Sequence, residues 1–237
     1  MQQALKTWHV TAGFALFLVT GPLASHPQDG DARLAPVSRD KLCVTKGAIE
    51  AASDSKMEVT VPEMRAVVAY PTRFVAEARF TYLGPTKQDK PLGSGEIRRQ
   101  FGLKLRAASG CNLVYAMWRI EPKQALVISE KLNPGQTTSA ECGTHGYRNL
   151  KPTQEVKPPL LKKGESHTLR AEAEGSKMKV FIDNKLHWEG LLDPEAQALT
   201  GPSGVRSDNG RFKFQFFSSE PVRGRKNPPC HAAGGDD

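Results

Sequence analysis

Polar and apolar residues alternate strictly between Thr168 and Glu174. Thr168, Arg170, Glu172 and Glu174 fall on one side, and Leu169, Ala171 and Ala173 on the other. That is the period of a half-buried strand. After Gly175-Ser176 the alternation resumes, with Met178, Val180 and Ile182 set against Lys177, Lys179 and Phe181. Asp183-Asn184 reads as a two-residue turn, because both side chains tolerate the left-handed region. Leu186 and Trp188 then face inward on a third strand. The spacing predicts an antiparallel three-stranded meander from Ser166 to Gly190, with at least one more strand between Gly204 and Ser218.

Other stretches carry the same period. From Arg73 to Leu83, Phe74, Ala76, Ala78, Phe80 and Tyr82 share one face. Cys43 to Ile49, Met57 to Val61 and Arg65 to Tyr70 read as shorter strands, with Pro62 as a break. Between Glu96 and Ala107 the two faces differ sharply. Ile97, Phe101, Leu103 and Leu105 lie on one, with Arg99 interrupting; Glu96, Arg98, Gln100, Lys104 and Arg106 lie on the other, with Gly102 between them. Asn112 to Ile120 pairs with it, placing Val114, Ala116, Trp118 and Ile120 opposite Leu113, Tyr115, Met117 and Arg119. Trp118 and Trp188 are expected in the core. Gly84 to Gly95 and Leu132 to Gly164 lack periodicity and read as loops; the second is long enough to suggest a lid or an edge decoration. Asp193-Pro194 suits the start of one helical turn.

A resemblance extends this pattern. His167, Thr168, Leu169, Gly175, Val180, Asp183, Lys185, Leu186, Trp188, Glu189 and Gly190, followed by Gly201, Pro202, Gly204, Val205, Arg206, Ser207, Asp208, Asn209, Gly210, Phe212 and Phe214, resemble the C-terminal half of a concanavalin A-like, laminin G-like jelly roll. The likeness is close over roughly a quarter of the chain. It implies an all-β fold, a two-sheet antiparallel jelly-roll sandwich, here assigned to residues 42–220. It leaves the activity open, since this superfold carries lectins, carbohydrate-binding modules, glycoside hydrolases, polysaccharide lyases and adhesion modules.

The ends of the chain read differently. Residues 1–25 have the form of a secretory signal, with Lys6 ahead of an apolar run from Val10 to Val19 and small residues at Leu23-Ala24-Ser25. The run is too short for a membrane-spanning helix. Residues 26–41 read as a flexible N-terminus, and residues 221–237 as a largely unstructured tail anchored by Cys230. A secreted or periplasmic location follows, and four cysteines suit it. They allow three pairings; Cys111 with Cys142 is favoured because the two bracket a compact hairpin region. Cys43 with Cys230 would then staple the ends, which in a jelly roll lie side by side.

The net charge is +8, and removal of the leader with its single Lys6 leaves +7. A basic protein attracts carboxylate, sulfate or phosphate. No helix-turn-helix, zinc-finger or RNA-binding signature accompanies the charge, so nucleic acid is not the expected partner. The expected partner is a polysaccharide or cell-envelope glycan, bound by a monomer. Arg98, Gln100, Lys104, Tyr115 and Arg119 are the candidate ligand-binding residues, because long cations beside an aromatic platform suit an acidic sugar. The leading expectation is therefore an exported, non-catalytic carbohydrate-binding module.

A secreted polysaccharide-degrading enzyme is the alternative, and a protein-binding adhesion module a third class. No Glu-x-Asp-x-x-Glu strand of the glucanase kind occurs. Gly95-Glu96-Ile97-Arg98 is similar to the Arg-Ser/Thr-Glu-Leu-Arg strand of alginate-lyase jelly rolls only at Glu96 and Arg98. That family's other two strand motifs are missing, leaving His145 and Tyr115 as available acid and base. Glu172 and Glu174 share a face that reads as solvated. No cofactor is expected. Calcium is the one candidate metal, at Asp183-Asn184 or Asp208-Asn209-Gly210, although both stretches are explained as turns.

Overall fold

The alternating segments build a sandwich of two antiparallel sheets in a computed structural model that describes residues 33–72 and 74–221. In chain order its elements are β1 (Leu34–Val37), β2 (Leu42–Lys46), β3 (Glu50–Ala51), β4 (Met57–Val59), β5 (Glu63–Val68), β6 (Val75–Pro85), β7 (Arg99–Leu105), β8 (Leu113–Glu121) and β9 (Ala125–Lys131). They continue with α1 (Ser139–Cys142), β10 (Tyr147–Asn149), β11 (Pro152–Glu155), β12 (Ser166–Glu174), β13 (Lys177–Ile182), β14 (Lys185–Leu191), α2 (Pro194–Ala198), β15 (Gly204–Asp208) and β16 (Gly210–Ser219). One sheet runs β11-β14-β13-β12-β6-β16-β4-β3, with β1 also on β16; the other runs β10-β9-β8-β7-β15-β5-β2.

The meander β12-β13-β14 forms as its period predicts, except that a register shift at Val180/Phe181 sets Leu186 opposite Phe181, half-buried and outside the core that Trp188 enters. Asp183 and Asn184 both take positive φ, 49° and 64°, in the turn between β13 and β14. Leu169, Ala171, Met178, Val180, Ile182 and Trp188 point into the core. Phe101 and Trp118 of one sheet pack there with Phe80 and Phe212 of the other. Phe101 lies 4.5 Å from Phe80 and 4.9 Å from Phe212, and Trp118 meets Phe80 edge to face. Burial of one such side chain stabilises the fold by about 1.5–3 kcal/mol. On the outer side of the meander's sheet, Glu172 pairs with Arg170 at 2.6 Å and Lys213 approaches Glu58, so that face is charged and solvated.

Several boundaries differ from the pattern. The stretch expected to be flexible contains β1, which pairs Leu34–Val37 with Phe216–Ser219 and buries Val37. Leu132 to Gly164, expected as irregular, contains α1, β10 and β11. Both of these strands are short edges, and every residue in them is exposed, so no alternation marks them. The expected leader and the Cys230 half of the second disulfide lie outside the described residues, as does the tail beyond Pro221. Cys111 and Cys142 are bonded, with their Cα atoms 5.9 Å apart. Among the described residues, no helix is long and apolar enough to cross a membrane.

β15 and β16 are nearly continuous in sequence yet belong to opposite sheets. Asn209 makes the transfer with φ 52°. Its N–H donates to the Pro62 carbonyl at 2.7 Å and its own carbonyl accepts from Arg99 Nε at 2.8 Å. Its side-chain amide bonds both the N–H and the carbonyl of Lys90, and the carbonyl of Arg98. One buried side chain thereby fixes the crossover and pins the loop of residues 86–98 beside the second sheet.

Candidate functional site

The outer face of the sheet β10-β9-β8-β7-β15-β5-β2 carries a cleft of ≈ 470 Å³, within the range of small-ligand sites. Strand alternation populates it. On β8 the inward residues fill the core, leaving Tyr115, Met117 and Arg119 in the cleft; β7 contributes Gln100, and β15 contributes Arg206. Arg65 and Glu63 come from β5, and Ser129 and Lys131 from β9. Tyr147 rises from the edge strand β10. Leu92–Ser94 and the segment from Ser139 to Thr144 form walls. These walls meet: a Cβ on Gly93 would lie 2.7 Å from Thr144 Cγ2, so a side chain there would have to displace the Thr144 methyl.

Asp208 organises the floor. It is fully buried, and Arg65 Nη2 reaches its Oδ1 at 2.7 Å. Gln100 Nε2 and Arg206 Nε reach Oδ2 at 2.6 and 3.0 Å. Burial pushes its carboxyl upward, but Arg206, Arg65 and the Gln100 amide overcome that and hold it at about 2. A charge buried this deeply is tolerable only with such partners. These contacts consume both oxygens, which removes Asp208 from the candidate calcium ligands. At Asp183, Oδ1 accepts from Thr168 N and Oδ2 meets His167 Nδ1. Among the described residues no group of three or more His, Cys, Asp or Glu side chains gathers to hold a metal.

Arg206 connects this floor to a pair of phenols. Gly102 is its register partner on β7 and offers no side chain, so the guanidinium crosses to the Tyr115 ring, 5.0 Å from its centroid. A Cβ on Gly102 would fall 2.3 Å from the Ala116 carbonyl. Arg206 Nη1 donates to the Tyr147 hydroxyl at 3.3 Å. Lys131 Nζ lies 5.1 Å from the Tyr147 ring and donates to the Gly110 carbonyl. Burial pulls the Tyr147 phenol up; the charges of Arg206 and Lys131, with hydrogen bonds from Arg206 and Tyr115, more than offset it and leave the phenol below its ordinary value.

At the other end stand Arg98 and Arg119. Arg98 Nε bonds Glu96 at 2.6 Å. Arg119 is half-buried, its Nε has no hydrogen-bond partner, and it forms no ion pair among the described residues. Burial and then the neighbouring Arg98 charge lower its pKa, with Glu96 acting the other way. It is a guanidinium short of a counter-ion.

Of the residues singled out by sequence, Arg98, Gln100, Tyr115 and Arg119 come together in the cleft. Lys104 does not line it. Lys104 shares the face of Gln100, but sits fully buried farther along β7, opposite Tyr115 and Gly204. His145, considered as an acid or base, is exposed and also lies outside the lining. Sequence reasoning did not assign Arg65, Lys131, Tyr147 or Arg206 to the cleft, and it read Asp208 as a turn residue and candidate calcium ligand rather than as the cleft floor. The spacing of Arg206 and Asp208, two apart on a strand, was the available signal for one shared face. Tyr147 had none, since its strand is three residues long.

These features define a two-sheet jelly-roll sandwich with a cationic cleft on one face. Neither a protein-family model nor a curated protein matches the sequence. Among solved structures, the carbohydrate-binding module CBM66 of Bacillus subtilis is similar to this chain with a TM-score of 0.51 and 13% identity, over 73% of this chain and 91% of that one. LamAcat from Zobellia galactanivorans gives 0.43 and 11% over 71% and 79%. The galectin LEC-6 of Caenorhabditis elegans gives 0.40 and 10% over 78% and 99%. At these identities the likeness is one of fold.

Proposed function

We propose that the cleft binds an acidic polysaccharide, a chain bearing carboxylate or sulfate groups. The observation that carries this reading is Arg119: a half-buried guanidinium, lacking a counter-ion, in a cleft lined by six cationic side chains and one carboxylate. That carboxylate, Glu63, is already paired with Lys46 at 3.4 Å and with Lys90. An incoming anion supplies what Arg119 lacks, and charge-assisted hydrogen bonds are the strong ones. Tyr147 offers aromatic surface for a sugar ring, and the buried Tyr115 stacks against it. The sandwich fold shared with CBM66 supports a carbohydrate ligand by analogy. The reading includes an exported protein, which the Cys111–Cys142 bond supports because such bonds persist in oxidising compartments.

A second reading, eliminative cleavage of a uronate chain, rests on Tyr147. A phenol depressed by Arg206 and Lys131 suits removal of the proton beside a sugar carboxylate. The electron pair left on carbon forms the ring double bond, the glycosidic C–O bond breaks, and the departing oxygen takes up a proton. Guanidinium and amide groups would hold the carboxylate as charge develops.

One experiment tests both readings. The purified protein is incubated with neutral and acidic polysaccharides, followed by retention, unsaturated-uronate absorbance and reducing ends. Retention of acidic chains alone supports binding, and new unsaturated ends establish elimination. Absence of both removes the acidic-glycan reading in favour of a protein partner.

A further inference from the structure

We propose that Glu130 and Arg148 form a latch that positions Tyr147 in the cleft. Tyr147 sits on β10, a three-residue edge strand whose residues are all exposed. Such a strand has little of its own to hold it, since edge positions lack burial on both sides. Its middle residue, Arg148, is the register partner of Glu130 on β9. By alternation Arg148 points away from the cleft while Tyr147 and Asn149 face it. Arg148 Nη2 reaches Glu130 Oε2 at 2.8 Å and also pairs with Asp193. Glu130 Oε1 accepts the Asp193 backbone N–H at 2.8 Å.

Glu130 is fully buried and touches nothing in the cleft. Burial pushes its carboxyl upward, with Arg148 opposing and Glu195 adding to the push. A fold that keeps a carboxylate in such a place needs it to be held by partners. Those partners are the strand that carries Tyr147 and the segment that enters α2. Glu130 is thus a positioning residue. It acts on the cleft through Arg148, by fixing the height and tilt of β10 relative to Lys131 and Arg206. The consequence for ligand affinity rests on the acidic-glycan reading; the positional claim does not.

The test is a spectrophotometric titration of tyrosine ionisation in the full chain, which has four tyrosines. Tyr147 is lowered in pKa, whereas burial raises Tyr70 and Tyr82. Tyr147→Phe assigns the first step. In Glu130→Gln that step moves upward, toward the ordinary phenol value, as Tyr147 withdraws from Arg206 and Lys131. Arg148→Gln, a change at an exposed edge, does the same, and Arg148→Lys restores the early step. If Glu130→Gln fails to fold, Arg148→Gln decides. A folded variant of either kind with an unchanged first step overturns the proposal. No ligand is present in this titration, so failure of the wild-type protein to retain acidic glycan would sink the functional reading alone.

Discussion

Tyr147 stacks on Tyr115 with ring centroids 6.0 Å apart and planes 22° apart, across the intervening strand β9. Ser129 of β9, the register partner of Tyr115, is small enough to let the two rings meet over it. Tyr147→Phe keeps this stack and loses the hydroxyl bonded to Arg206. Its expected cost in stability is below about 1 kcal/mol, the net worth of one hydrogen bond. Retention on acidic glycan stays near wild type, whereas any unsaturated-uronate signal disappears. Urea unfolding and the absorbance assay check the two halves separately.

Arg119→Ala should separate affinity from folding. The side chain satisfies no partner among the described residues, so its removal leaves no stranded carboxylate. Thermal stability should hold or rise slightly. Affinity for acidic glycan should fall by about tenfold or more, the scale of one charge-assisted contact. Titration calorimetry measures the affinity, and equal affinity in the variant would remove Arg119 from the site.

Asp208 should leave a mark on the acid limb of stability. Its folded pKa is about 2, against 3.8 for a free aspartate. A depressed carboxylate contributes stability that is present above the unfolded value and is lost as pH falls through the folded one. Between about pH 4 and pH 2 the wild type should therefore lose about 2 kcal/mol from this group. Asp208→Asn should lack that component. At neutral pH it should be less stable by about 3–5 kcal/mol, since Arg65 and Arg206 remain buried without their carboxylate. Urea denaturation of both proteins across this pH range checks the sign and the size.

The bond between Cys111 and Cys142 holds the wall that carries Ser139, Gly143 and Thr144. Its sequence separation is 31 residues, so replacing both cysteines with alanine should cost about 3–4 kcal/mol by the loop-closure argument. Asn112 still bonds the Asn133 and Gln136 carbonyls, and the main sheets do not depend on this wall. The expected outcome is a folded protein with weakened glycan retention. Circular dichroism and the retention assay together distinguish that result from unfolding.

The sheets were readable where side chains alternate over long strands. Leu169, Ala171 and Val180 declared the core side of the meander, and Phe101, Leu103 and Leu105 that of β7. The same rule placed Gln100, Tyr115 and Arg119 on the face that carries the cleft. It failed for Lys104, because alternation assigns a face but does not say how far along the strand the cleft extends. It failed again for β10 and β11, which are too short to show a period. Asp208-Asn209-Gly210 looked like turn chemistry. Asn209 does turn the chain, but Asp208 is buried by β5 and β7, whose approach no local pattern records.

The place of β15 has a consequence for how the protein is made. β15 lies between β7 and β5, in the middle of its sheet, and six other strands of that sheet precede it in the chain. During synthesis from the N-terminus those six cannot close into one sheet until residues 204–208 arrive, and long-range pairings of this kind are slow to form. Arg206 and Asp208 arrive in the same segment. A chain that stops short of residue 204 therefore has neither the centre of the sheet nor the floor of the cleft, and the cleft is assembled only once that late strand has inserted between two that were made long before it.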